Sequence, residues 1–139
     1  MTCALEHIPS QLRHTIRRMV TESMTAIAVG NPTAVPVLGT PIVLGWFEVA
    51  AAEALAPFLD ASCVIVGAHV TLNHTSPTPV GFAVEITAQL QARHGNKFTW
   101  DIVATDSQGE AAHGTLISAV IPKEALNRRI RQKEEARSS

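Results

Sequence analysis

From residue 81 the chain alternates apolar and polar side chains with a period of two. Phe82, Val84, Ile86, Ala88, Leu90 and Ala92 stand against Glu85, Thr87, Gln89, Gln91 and Arg93. Extended backbone sends successive side chains to opposite faces, so this stretch predicts a strand with one buried and one wet face. His94-Gly95-Asn96-Lys97 predicts a tight hairpin turn. Phe98, Trp100, Ile102 and Ala104 carry the alternation into a second strand. Asp106-Ser107-Gln108-Gly109 predicts another turn, and residues 111–121 a last strand. Upstream, Cys63 to His74 is β-branched and apolar, and ends at a loop carrying Pro77, Pro79 and Gly81. Leu12, Ile16, Val20 and Met24 suit a strand face or a helix stripe equally; we place a first strand around 12–20.

One segment breaks the two-residue rhythm. From Ile42 to Leu59 nearly every residue is apolar, and Ala50, Ala51, Ala52, Ala54 and Ala56 favour helix. Thr40 suits the N-cap and Pro41 the first helical position, where a missing N–H costs nothing. A helix with no solvent stripe has to be enclosed by other elements. Glu48, Glu53 and Pro57 argue against a membrane span, which needs about 20 apolar residues with few charges. The expected architecture is therefore α+β: one long buried helix against a five-stranded antiparallel sheet, with four strands after the helix in a meander. A single domain spans 1–139, closed by a C-terminal surface helix and frayed tail over 122–139.

Composition narrows the function classes. The 139 residues carry 11 Lys+Arg and 12 Asp+Glu, for a net charge of −1. No Lys or Arg occurs between 19 and 92. A nucleic-acid binder needs a broad basic face to displace counterions, and this chain has none in its middle. Cys3 and Cys63 make no disulfide framework and read as two scattered thiols suited to a reducing cytoplasm. The opening MTCALEHIPS has no basic and apolar leader pattern, which fits the same expected location.

Candidate chemistry is sparse. Glu48 sits among Leu44, Gly45, Trp46, Phe47, Val49 and Ala52; burial there would raise its pKa toward the range of a useful base. His74 shares parity with Val64, Val66, Ala68, Val70 and Leu72. Without a bulge, these six side chains face the helix and Gly67 faces away. Glu48 has no cation near it in sequence; unless one reaches it from the flanks in three dimensions, His74 is its expected partner. His69 and His74 differ in parity and do not form a metal pair. Gly67 interrupts a β-branched run, a mark of a bulge or of close approach to backbone. Gly45 inside the helix suggests close packing.

Taken together, these residues resemble a hot-dog-fold thioesterase, most closely the fluoroacetyl-CoA thioesterase family. The likeness is carried by T-P-I-V-L-G-W-F-E (Thr40 to Glu48), the A-x-A-P-F-L helix end, G-A-H-V-T-L-N-H-T (Gly67 to Thr75), the P-T-P-V-G turn and the N-R-R-I-R-Q-K tail. The resemblance implies hydrolysis of a small acyl-CoA to free acid and CoA. It places the catalytic group on Thr40, Glu48 and His74, and the glycine beside the thioester on Gly67. It further implies no metal and no cofactor, CoA being part of the substrate, and a homodimer with its site at the subunit interface. Residues 30–36 read Gly-Asn-Pro-Thr-Ala-Val-Pro where fluoroacetyl-specific members carry a phenylalanine lid. The reaction class therefore transfers and the acyl group does not. Two rivals are a non-catalytic acyl-CoA-binding protein and a hot-dog hydratase or dehydratase. The second would need a different arrangement of acid and histidine.

Overall fold

The computed structural model describes residues 3–138, with side chains as far as Arg137. The end residues of the expected 1–139 domain, including the last of the frayed tail, lie outside the described residues. In chain order the elements are β1 (Arg13–Met19), α1 (Thr40–Leu55), β2 (Cys63–His74), β3 (Ala83–His94), β4 (Lys97–Asp106), β5 (Gly109–Pro122) and α2 (Lys123–Ser138). Short 3-10 turns cover Glu22–Met24 and Ala56–Phe58.

The strands form one antiparallel sheet in the order β1-β3-β4-β5-β2. Alternation predicted the inward faces of β3 and β4 correctly. Val84, Ile86, Ala88 and Leu90 are buried, as are Phe98, Trp100, Ile102 and Ala104. Gly95 takes a φ of +64° at the hairpin between them, a conformation that costs glycine little.

The four-strand meander is corrected. β3, β4 and β5 follow one another, but β2 pairs with β5 and not with β3. Between β2 and β3 the chain crosses three strand spacings, about 14 Å, which a tight turn cannot span and residues 75–82 can. Backbone hydrogen bonds pin that crossing. Thr75 N–H donates to Ala111, Leu38 N–H to Thr78, and Gly81 N–H to Val20. The buried Thr78 hydroxyl donates to Asp106 Oδ2 at 2.8 Å.

Against the inner face of this sheet lies α1. Val43, Phe47, Ala50, Ala51 and Leu55 are wholly buried, and small alanines let the sheet come close. Together with its 3-10 turn, Thr40–Phe58 is long and apolar enough to cross a membrane by length and composition. Here that apolar surface is the core of the domain instead. The helix is not enclosed all round, however. Thr40, Pro41, Glu48, Val49 and Glu53 are exposed, and Val49 keeps 36% of its surface. Glu53 takes up surface partners, Arg18 at 3.6 Å and His14 at 3.1 Å.

Cys3 and Cys63 are joined in a disulfide, which corrects the reading of two scattered thiols. The N-terminal segment folds back over the end of α1, and that brings positions 60 apart together. Leu5 and Ile8 enter the core, the Arg93 guanidinium donates to Leu5 C=O, and the His7 ring bonds Phe58 C=O at 2.7 Å. The free thiols that suggested a reducing compartment are thus absent among the described residues.

Candidate active site

The first turn of α1 and the last residue of β2 meet. Thr40 Oγ1 lies 2.7 Å from His74 Nδ1. Thr40 was expected as the N-cap, yet Gly39 occupies that place and Thr40 opens the helix, with no side-chain cap bond. Its hydroxyl is therefore free for the histidine. Gly39 packs beneath the preceding loop, where a Cβ would fall 2.8 Å from Val29 Cγ2 and 3.2 Å from Ala26 Cα. That contact presses residues 26–38 against the helix start.

His74 is half-buried, and its Nε2 is buried with no hydrogen-bond partner. Desolvation pushes its pKa below the ordinary 6.5, so the ring is neutral at pH 7. A neutral imidazole carries one N–H and one lone pair. With Nδ1 engaged by Thr40, Nε2 is the atom left for other chemistry. Ala26, Val37, Leu38 and Pro77 border a hollow of about 260 Å³ beside Thr40 and His74. Those walls carry no charge.

Two helical turns on, Glu48 meets Gly67. The sequence parity placed Gly67 on the outer face, and the structure overturns this. β2 pairs Gly67 with Ser118 and then His69 with Ile117, so Ala68 is an extra residue in a β-bulge. The bulge reverses the alternation. Cys63, Ile65 and Gly67 face inward before it; Val70, Leu72 and His74 face inward after it. Val64, Val66 and Ala68 lose their expected inward places. His74 keeps its own, and His69 is exposed.

A Cβ built at Gly67 would overlap Glu48 Oε1 and sit 3.2 Å from Glu48 Cδ. Glycine thus makes room for the carboxylate. Gly45, expected as a close-packing position, has no atom within 4 Å of an added Cβ. It instead widens a groove of about 400 Å³ shared by Glu48, Val49, Ile65, Gly67 and Ser118. Glu48 is exposed in the single chain rather than desolvated, because this stripe of α1 overhangs the edge strand β2. His74 pairs with Thr40 and not with Glu48.

The candidates thus form two groups on one helix: Thr40 with His74, and Glu48 with Gly67. Eight helical residues separate them by about 12 Å along the axis and roughly 80° around it. No group of three His, Cys, Asp or Glu side chains gathers to hold a metal ion among the described residues. A larger hollow of about 490 Å³ lies on the outer sheet face, among Arg13, Gln89, Asp101 and His113, away from all four candidates.

A long helix wrapped by a five-stranded antiparallel sheet, with polar residues along one open helix edge, defines the hot-dog class of α+β proteins. A hot-dog-like protein from Thermanaerovibrio acidaminovorans superposes with a TM-score of 0.82 at 23% identity, over 91% of this chain and 93% of that one. A mutant of the fluoroacetyl-CoA-specific thioesterase FlK superposes at 0.86 with 30% identity, over 93% and 99%. The fluoroacetyl-CoA thioesterase of Streptantibioticus cattleyicolor is 35% identical over 100 residues, 72% of each chain. Residues 20–124 match the family model described as fluoroacetyl-CoA-specific thioesterase, and the chain belongs to that family.

Proposed function

We propose that this chain hydrolyses a small acyl-CoA thioester to the free acid and CoA. The observation that carries the reading is the Thr40–His74 bond, which leaves a neutral histidine with a buried, unpartnered Nε2. In the scheme, Glu48 takes a proton from water as that water attacks the thioester carbonyl. The tetrahedral intermediate then collapses, the C–S bond breaks, and the CoA thiolate leaves and is protonated. In the covalent variant Glu48 attacks the thioester carbonyl first, the C–S bond breaks and the CoA thiolate leaves, giving a mixed anhydride that water opens to release the acid and restore Glu48. His74 Nε2 orients water or supplies a proton, depending on the tautomer that Thr40 selects. The N-terminus of α1 beside Thr40 favours the negative charge that develops on oxygen. Gly67 lets the thioester approach backbone beside Glu48. The scheme uses no metal and no cofactor.

The active form is proposed to be a homodimer with the site at its interface. β2 is an edge strand, and the exposed Val49, Glu48 and Gly67 border the open groove beside it. A second copy over this edge would pair the strand, cover Val49 and take Glu48 out of bulk water. A cytoplasmic location is supported by the proposed substrate alone, since a polyanionic CoA ester does not cross membranes unaided.

The test is thiol release across short, branched and aryl acyl-CoAs, with Glu48→Gln as the control. Turnover should fall by at least ~10²-fold in the variant. Near-normal turnover there removes Glu48 from the chemistry. Tight CoA-ester binding without any thiol release would instead identify a non-catalytic binder. Single-turnover hydrolysis in oxygen-labelled water separates the two routes, because only the anhydride route can place solvent oxygen in Glu48.

A further inference from the structure

The fold gives α2 no packing role of its own size. Its 16 residues carry six cations and three carboxylates. Leu126 is half-buried, every other described side chain is exposed, and Ile130 keeps 45% of its surface. A helix polar all round does not build a core. Its position is nonetheless fixed, because Lys123 N–H donates to Ser62 C=O at 2.8 Å and Pro122 pairs with Cys63.

That anchor lies on the same sheet edge as Glu48. The β2–β5 register runs from Gly67 opposite Ser118, through Ile65 opposite Val120, to Cys63 opposite Pro122, where α2 begins. Four strand residues span about 13 Å. Ile65, Gly67 and Ser118 also line the Glu48 groove, so the groove reaches to within two strand residues of the pair where α2 begins. Neither the groove nor α1 offers a cation, because residues 19–92 contain no Lys or Arg. α2 has four cations between 128 and 133 with no carboxylate among them. Arg129 and Lys133 share a face at i and i+4, and Arg128 and Arg131 at i and i+3. Arg128 already leans toward Glu124 at 3.8 Å.

We infer that α2 seats the phosphates of the CoA nucleotide, with Arg129 and Lys133, one turn apart on the same face, meeting the 3′-phosphate and pyrophosphate of a thioester held at Glu48. This rests on the acyl-CoA reading above. CoA carries its reacting sulfur and its anionic phosphates at opposite ends of an uncharged arm. The edge of this protein shows the matching order: carboxylate and glycine, a neutral groove, then a basic helix.

The experiment is calorimetric titration of the full chain with CoA and, separately, with pantetheine. It compares the wild type with a double variant, Arg129→Gln and Lys133→Gln. Glutamine keeps helix propensity, and circular dichroism checks that α2 persists. The variant should bind CoA up to about tenfold more weakly, the scale expected of two exposed charge contacts. The difference should shrink at high salt and vanish for pantetheine. Equal CoA affinity in the two proteins, an equal loss for pantetheine, or no CoA binding by the wild type overturns the inference. Hydrolysis of an acyl-pantetheine by the wild type tests the thioesterase reading separately, since that substrate has no nucleotide.

Discussion

Thr40 Oγ1 and His74 Nδ1 stand 2.7 Å apart although 34 residues separate them in the chain. The helix start and the strand end are brought together by two neighbours of the same region. Gly39 packs on the loop before it, and the crossing after β2 is pinned at Ala111, Leu38 and Val20.

The hydroxyl and not the bulk of Thr40 should matter. Thr40→Ser keeps the bond to Nδ1 and should retain most activity. Thr40→Val keeps the shape, frees the ring and should lower kcat by about tenfold or more. Steady-state kinetics on one acyl-CoA checks both variants. Equal activity in the valine variant would detach the pair from the chemistry.

Gly67→Ala tests the seat of Glu48. The added methyl overlaps the tip of a flexible, exposed side chain, so stability should change little. The carboxylate must shift to accept it, and a misplacement of that order should lower kcat by about 10- to 10²-fold. Thermal melting beside kinetics separates the two effects. A large drop in Tm with normal kcat would contradict this account.

His74 sets a pH window. Its desolvated ring binds a proton less readily in the folded state than in the unfolded chain, whose histidine has the ordinary value of 6.5. Between the lowered value and 6.5 the unfolded state holds more protons, so stability rises with pH. The His74 contribution is thus complete above 6.5 and is lost as pH falls through the lowered folded value. Urea titrations of wild type and His74→Asn across pH 5 to 7.5 should show a steeper acid loss in the wild type. Identical slopes would mean that the ring is not desolvated.

The Cys3–Cys63 bond should contribute to stability. It closes a loop between positions 60 apart, for which chain entropy gives an upper value of about 4 kcal/mol. Cys3→Ser, or reductant added to the wild type, should lower Tm by several degrees. Thiol titration of the unfolded, unreduced protein should find no free thiol. An unchanged Tm with two titratable thiols would show that the bond does not form.

The parts legible in the sequence are those governed by local periodicity. Val84 to Leu90 and Phe98 to Ala104 announce their buried faces because β3 and β4 are covered on one side only. The apolar run after Thr40 announces α1, but not the exposed edge at Glu48 and Val49, since composition does not reveal which side of a helix the sheet leaves open. Glu48, His74 and Gly67 could be singled out as residues. Their pairing could not, because contacts across 34 or 19 positions leave no local trace. Gly67 hinted at a bulge, and only the register with β5 shows that one extra residue follows it.

The single unpaired residue at Ala68 therefore acts as a phase change in an otherwise binary code. On either side of it, odd and even positions exchange meaning. Pairing Ala68 into a regular ladder would leave the composition of β2 untouched, yet one half of the strand would have to turn over. If the Cys63 half stayed fixed by its disulfide, Asn73 would take the inward place and His74 would turn to solvent. The identity of the residue that meets Thr40 is in this sense decided by counting, six positions upstream of the histidine itself.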